Sequence, residues 1–257
     1  MAGTIVMIHG MMGGAWCWDN YKEFFTDRGY RCYVPVLRYH DMDSWDKPDP
    51  RLGVTSLLDY ARDLEGEIRQ LAEPPLLLGH SMGGLLAQML ASRGLARVLV
   101  LLAPAAPAGI WSVTVSDVKT LLLLLRQVSF RRGAFRVAYP AAVYSFLERL
   151  PAGKQEEAYQ QLVYESGRAA LEICCWFLDP RRASRVDPGK VKCPVLVVAG
   201  KQDKLTPVSV VKQVADMYQP LVTYAEFDYT HWLIGEPGWE VVAGYVAQWL
   251  DDRGVNV

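Results

Sequence analysis

The chain has 257 residues, 51% of them apolar, and a formal net charge of −1 at pH 7. That length suits one large domain or a domain carrying an insertion, and the apolar content is ample for a core. The net charge gives no electrostatic case for nucleic acid, and no stretch reaches the ~18–20 apolar residues of a membrane span.

Thr4 to Ile8 is a β-branched apolar run and reads as a buried strand. The stretch Gly3 to His9 is short and has no basic residues before it, so it reads as a strand and not as a signal peptide. A Gly-rich loop follows, His9-Gly10-Met11-Met12-Gly13-Gly14. Trp18 to Arg28 has helical periodicity and stops at Gly29. Arg31 to Leu37 reads as a second strand, and His40 to Gly53, rich in Asp and Pro, as a solvated loop. Thr55 is placed to cap a helix whose apolar face is Leu58, Ala61, Leu64, Ile68 and Leu71. The buried strand at Leu76–Leu78 turns sharply through Gly79-x-Ser81-x-Gly83 into a helix over Met82–Arg93. Val98 to Leu102 is a further strand.

The alternation predicts a parallel sheet covered by helices on both faces. It breaks after Pro104. From Ala105 to Lys190 the pattern is helical, with helices expected at Val115–Val128, Pro140–Leu150 and Gln155–Leu178 and no strand. Leu121–Leu125, a five-leucine run, is too short to span a bilayer and suits a helical core. The sheet resumes at Pro194–Ala199, followed by a helix at Val208–Met217, a last strand at Thr223–Phe227 and a closing helix at Trp239–Leu250. The expected organisation is an α/β core from residues 1–104 and 191–257, with a helical cap inserted at 105–190. That insert is basic for its size: residues 104–190 hold 12 Lys+Arg against 8 Asp+Glu. Arginines solvating the outer face of a lid account for it; an anionic substrate end or a membrane surface is the sharper alternative.

Ser81 at a strand-to-helix turn is a candidate nucleophile, because such a turn exposes the hydroxyl at the carboxyl end of the sheet and beside a helix N-terminus. A serine hydroxyl needs a base within reach, and the base needs an orienting carboxylate. Asp203 and His231 each follow a predicted strand, so both would meet Ser81 on one rim. His9 and His80 flank glycine turns and read as structural, and His40 lies in the solvated loop. Asp228 rivals Asp203, but it starts the His231 loop itself and suits a turn role. An oxyanion needs two fixed N–H donors, for which Met82 and Met11 are the candidates. The first Gly-rich loop alone could equally cradle phosphate, but no Lys-Ser/Thr follows it. Gly10, Trp16, Trp111 and Trp232 are candidates to line a substrate pocket, with Trp18, Trp176 and Phe177 as further apolar candidates. The four histidines have no metal-ligand spacing, and no cofactor motif is present, so neither metal nor cofactor is expected. Five cysteines, odd in number and without C-x-x-C spacing, read as reduced thiols of a cytoplasmic protein.

These motifs together resemble the α/β-hydrolase superfamily over nearly the whole chain, the insert matching only as a helical cap. The nucleophile, acid and base also follow one another in that superfamily's order. His9-Gly10-Met11-Met12-Gly13-Gly14-Ala15-Trp16-Cys17-Trp18 further resembles the branch that holds plant methylesterases and hydroxynitrile lyases. In that branch the residue after the first His is Gly in esterases and Thr in lyases, and lyases carry Lys after the catalytic His. Gly10 and Trp232 depart from the lyase pattern at both positions. The resemblance implies a cofactor-free serine hydrolase acting on a small-molecule ester. A thioesterase, lactonase, C–C hydrolase or lyase on the same triad, or a non-catalytic receptor of this fold, stays open at this stage. Oligomeric state has no signature in the sequence.

Overall fold

A computed structural model describes residues 3–111 and 133–254. In chain order the sheet is built from β1 (Thr4–Ile8), β2 (Arg31–Tyr33), β3 (Leu76–His80) and β4 (Val98–Leu102). It is completed by β7 (Val195–Gly200) and β8 (Val222–Phe227), after two short strands outside it, β5 (Ala134–Phe135) and β6 (Glu165–Ser166). The six strands lie in the order β2-β1-β3-β4-β7-β8, every neighbour parallel. Strands β3, β4 and β7 are buried at every residue, which is why their sequences are continuous apolar runs without alternation.

Alternate side chains feed two cores. Val6, Ile8, Leu77, Leu99 and Val197 pack beneath α2 (Leu57–Ile68), α3 (Met82–Ala91) and α7 (Val208–Asp216). Ile5, Met7, Leu78, Val100 and Val198 pack against α1 (Asp19–Thr26) and α8 (Trp239–Asp251). The sheet is therefore doubly wound, as expected from the sequence. The chain reverses direction across the sheet between β1 and β3, and the crevice above such a switch point is where ligands bind.

Three local expectations are corrected. Strand β2 stops at Tyr33 and not at Leu37. Pro35 has no N–H for a ladder, and the Leu37 N–H donates to His9 Nε2 at 3.3 Å instead. The cap of α2 is Ser56, one residue after Thr55. Its Oγ accepts from the Leu58 N–H (3.2 Å), and the Asp59 carboxylate accepts from the Ser56 N–H (3.0 Å).

The third correction concerns the insert, which is not free of strands. β5 and β6 pair antiparallel, Phe135 opposite Glu165. The single helix expected at 155–178 is three pieces: α5 (Ala152–Gln161), α6 (Gly167–Cys174) and a 3₁₀ turn at Trp176–Leu178. The break is made by Leu162 and Val163, which are buried in extended chain, and by Ser166, whose Oγ caps α6 through the Ala169 N–H at 3.2 Å. Among the described residues the insert's other α-helix, α4 (Tyr139–Ala142), continues as one wide π turn to Leu147. The helix expected at 115–128, with its leucine run, lies outside the described residues. The insert is fastened to α2 by buried Glu172, which accepts from Ser56 Oγ and the Leu57 N–H, both at 2.8 Å.

Candidate active site

The turn after β3 places Ser81 at φ 53°, ψ −123°, in the positive-φ half of the map that a serine rarely visits. Its surroundings hold it there. The Ser81 N–H donates to the Leu102 carbonyl (3.2 Å), and its own carbonyl accepts from Leu85 and Ala105 (3.2 and 2.9 Å). The glycines on either side are required by close approach: a Cβ on Gly79 would lie 2.4 Å from the Gly83 carbonyl oxygen, and one on Gly83 2.1 Å from that of Ile8. Met82 opens α3, so its N–H has no acceptor within the helix.

Asp203 leaves β7 in a turn that saturates its carboxylate. Oδ1 accepts from the N–H groups of Leu205 and Thr206 (2.7 and 2.8 Å). Oδ2 accepts from Thr206 Oγ1 (2.7 Å) and faces His231 Nδ1 at 2.8 Å. The other nitrogen of His231, Nε2, makes no hydrogen bond among the described residues. The His231 loop is braced from beneath by buried Glu236, which accepts from the Thr230 N–H at 2.6 Å. Burial raises the Glu236 pKa against the opposing pull of those hydrogen bonds. His80 donates from Nε2 to the His231 carbonyl at 2.8 Å. Burial, then the neighbouring His231, lowers the His80 pKa to about 3, so it is a neutral structural ring. Asp228 sits elsewhere: it is exposed, accepts from Gln202 Nε2 at 3.0 Å, and faces Arg149. The structure thus brings Asp203, and not Asp228, to His231.

The loop after β1 comes up beside Ser81. A Cβ on Gly10 would lie 3.0 Å from the Ser81 Cβ, so there is no room for a larger residue without displacement. Met12 adopts φ 59°. His9 is neutral as well, its pKa lowered to about 4 by burial and then by His40. His40 is not solvated as its polar loop implied. It is 3% exposed, and its Nε2 lies 3.1 Å from Glu165 Oε2. Glu165 also accepts from Tyr60 Oη (2.8 Å) and from the N–H groups of Met12 (3.2 Å) and Ser166 (2.7 Å). Burial opposes both charges of this pair, but each holds the other: the His40 pKa is raised and that of Glu165 lowered.

Ser81, His231, Gly10, Met11 and Met82 all open onto one cavity of about 470 Å³. The insert supplies its other side, including Val137, Phe146, Leu162 and Trp176. Trp232 lines it, and Trp111, 56% exposed, stands at its mouth stacked on Phe177. Trp16 does not line it; its ring packs behind Trp232, centroids 5.6 Å apart. Sequence reasoning missed Thr206, Glu165, His40 and Glu236. A Thr three residues after the Asp was the one local signal among them, since Asp side chains bond their own downstream backbone in turns. Among the described residues no group of His, Cys, Asp and Glu is placed to hold a metal ion, and no helix is long and apolar enough to cross a membrane.

A family profile described as alpha/beta hydrolase family matches residues 5–243. The chain belongs to the alpha/beta hydrolase family. A pyrethroid hydrolase of Sphingobium wenxiniae is 30% identical to this chain over 80 residues, which is 31% of the chain and 27% of that enzyme. A solved pyrethroid hydrolase from Sphingobium faniae superimposes with a TM-score of 0.75 at 19% identity, covering 98% of each chain. A methylesterase from Arabidopsis gives 0.73 at 16% identity, covering 97% of this chain and 99% of that one. At such identities the two structures establish the fold. The narrower resemblance to the plant branch is not singled out by them: the Sphingobium structure matches this chain as well as the Arabidopsis one does, and the sequence relative is a bacterial pyrethroid hydrolase.

Proposed function

We propose that this chain hydrolyses carboxylic esters through an acyl-enzyme on Ser81, with His231 as general base and Asp203 orienting it. His231 Nε2 takes the Ser81 proton as Oγ attacks the ester carbonyl. The Met11 and Met82 N–H groups stabilise the oxyanion of the tetrahedral intermediate. The imidazolium then protonates the leaving alcohol, and neutral His231 activates water to release the acid. The observation that carries this reading is the 2.8 Å contact of His231 Nδ1 with Asp203, on the cavity that Ser81 enters from a strained turn. The apolar walls favour an uncharged small or medium ester, and relatives described as pyrethroid hydrolase and methylesterase support an ester substrate. Residues 1–104 and 191–257 serve as the catalytic framework and 105–190 as the cap that shapes the pocket, with Gly10, Trp111 and Trp232 on its walls.

Ser81→Ala tests it. Turnover of a p-nitrophenyl ester is expected to fall by about 10³-fold or more, with loss of fluorophosphonate labelling and an unchanged fold. Near-normal turnover by the folded variant would sink the mechanism.

A further inference from the structure

Met12, in the loop after β1, lies in the left-handed region at φ 59°, a conformation that is costly for a non-glycine residue and persists only where the surroundings impose it. Both of its backbone polar groups are held by the insert. The Glu165 carboxylate accepts from the Met12 N–H at 3.2 Å, and the Val163 N–H donates to the Met12 carbonyl at 2.9 Å. The Met12 N–H belongs to the Met11–Met12 peptide, the unit next to the Gly10–Met11 peptide that carries the Met11 N–H, so this clamp anchors the chain on the far side of the Met11 Cα and restricts how the Gly10–Met11 peptide can turn. The clamp is itself rigid. Glu165 is fully buried and fixed by Tyr60 from α2, by His40 from the loop after β2, and by the Ser166 N–H.

We propose that Glu165, together with the Val163 N–H, is the positioning residue of the oxyanion hole, holding the Met11–Met12 peptide in its strained turn beside Ser81. The insert is then part of the catalytic machinery and more than a cover over the pocket. This rests on the roles given above to Ser81 and Met11. It goes beyond them in assigning a function to a buried ion pair that the proposed chemistry does not use.

The chemistry of the carboxylate makes the proposal testable. Each of its oxygens accepts from a backbone N–H, Oε2 from Met12 and Oε1 from Ser166. An amide has one acceptor oxygen, so Glu165→Gln cannot serve both. The Ser166 bond is the shorter, so the amide oxygen keeps it and the NH₂ faces the Met12 N–H. Displacing a transition-state donor, without removing it, is expected to lower kcat for a p-nitrophenyl butyrate assay by about 10- to 100-fold, with KM within about twofold. Inhibition by an alkyl boronic acid, which forms a tetrahedral anion on Ser81, should weaken by the same factor. Hydrogen exchange of the peptide spanning residues 9–14 should quicken. Should Glu165→Gln not fold, Glu165→Asp keeps the charge but falls a methylene short of Met12, and the same losses are expected. A folded variant with wild-type kcat overturns the proposal. So does a fall in kcat with boronic acid inhibition unchanged, since a merely structural defect leaves that affinity alone. Ser81→Ala run alongside separates the two failures: retained turnover there defeats the esterase reading, whereas an inactive Ser81→Ala beside an undiminished Glu165→Gln defeats only the clamp.

Discussion

At the scale of single residues, the sharpest consequence lies in Asp203. Its Oδ1 serves two backbone N–H groups, so an Asn there keeps its oxygen on that side and turns its NH₂ toward Thr206 and His231. His231 Nδ1 must then accept, which protonates Nε2 and leaves it unable to take a proton from Ser81. Asp203→Asn is expected to lose on the order of 10⁴-fold in kcat. Asp228→Asn, changed at an exposed carboxylate bonded to Gln202 and facing Arg149, should keep turnover within about twofold. Purified variants assayed with one short-chain ester decide it, and an inactive Asp228→Asn would show that the acid is misassigned. These positions were legible because each follows a strand, and strand ends are readable from apolar runs. His40 and Glu165 were not legible: their burial comes from partners 125 residues apart in sequence, and a polar loop looks the same whether or not something packs on it. Trp16 was misplaced for a related reason, since sequence shows an aromatic but not whether it stands before or behind another ring.

At the scale of elements, the strands were read to within a residue or two wherever both neighbours were present, as at Thr4–Ile8 and Val98–Leu102. Errors gathered where tertiary partners override local pattern. Leu162 and Val163 continue a helical apolar period, yet both are buried in extended chain that reaches the Met12 carbonyl. Thr55 and Ser56 are both acceptable caps by type; Ser56 wins because Asp59 stands three residues after it. That cap also joins two elements. Ser56 Oγ accepts from the Leu58 N–H and donates to Glu172 of the insert. Ser56→Ala removes both bonds and leaves a buried carboxylate with a missing donor. A loss of about 2 kcal/mol is expected, the sum of a cap and an unsatisfied group. Urea denaturation measures it, and a change under about 0.5 kcal/mol would mean that water replaces the hydroxyl. Turnover per folded molecule should be unchanged.

At the scale of the whole molecule, the fully buried neutral histidines set the acid limit of stability. The His9 and His80 pKa values are lowered from 6.5 to about 4 and about 3. The stability they contribute is present above pH 6.5 and is lost as pH falls toward those values, because the unfolded chain takes up protons that the folded one refuses. Each should cost on the order of 2 kcal/mol between pH 7 and pH 5. His40 offsets only part of this fall, since its raised pKa adds stability that is fully present below 6.5 and is lost at higher pH, so its contribution grows between pH 7 and 6.5. Tryptophan-monitored urea unfolding at pH 7 and pH 5 is the check, and equal stabilities would contradict it. The fold class was legible at this scale because rhythm alone encodes it: strand and helix alternate, stop after Pro104, and resume at Val195. What rhythm could not show is that β4 and β7 are neighbours, Leu102 opposite Val198. The chain that leaves the end of β4 must come back to the start of β7, so it is a polymer loop whose ends the parallel pairing holds about a strand length apart. Closing such a loop costs only about 0.6 kcal/mol more for each doubling of its length. The length of the roof is thus almost free to drift without any toll on the sheet. A roof of different length from another member of the family should fold on this frame if it met α2 as Glu172 does, and would work once it brought an acceptor for the Met12 N–H and a donor for the Met12 carbonyl.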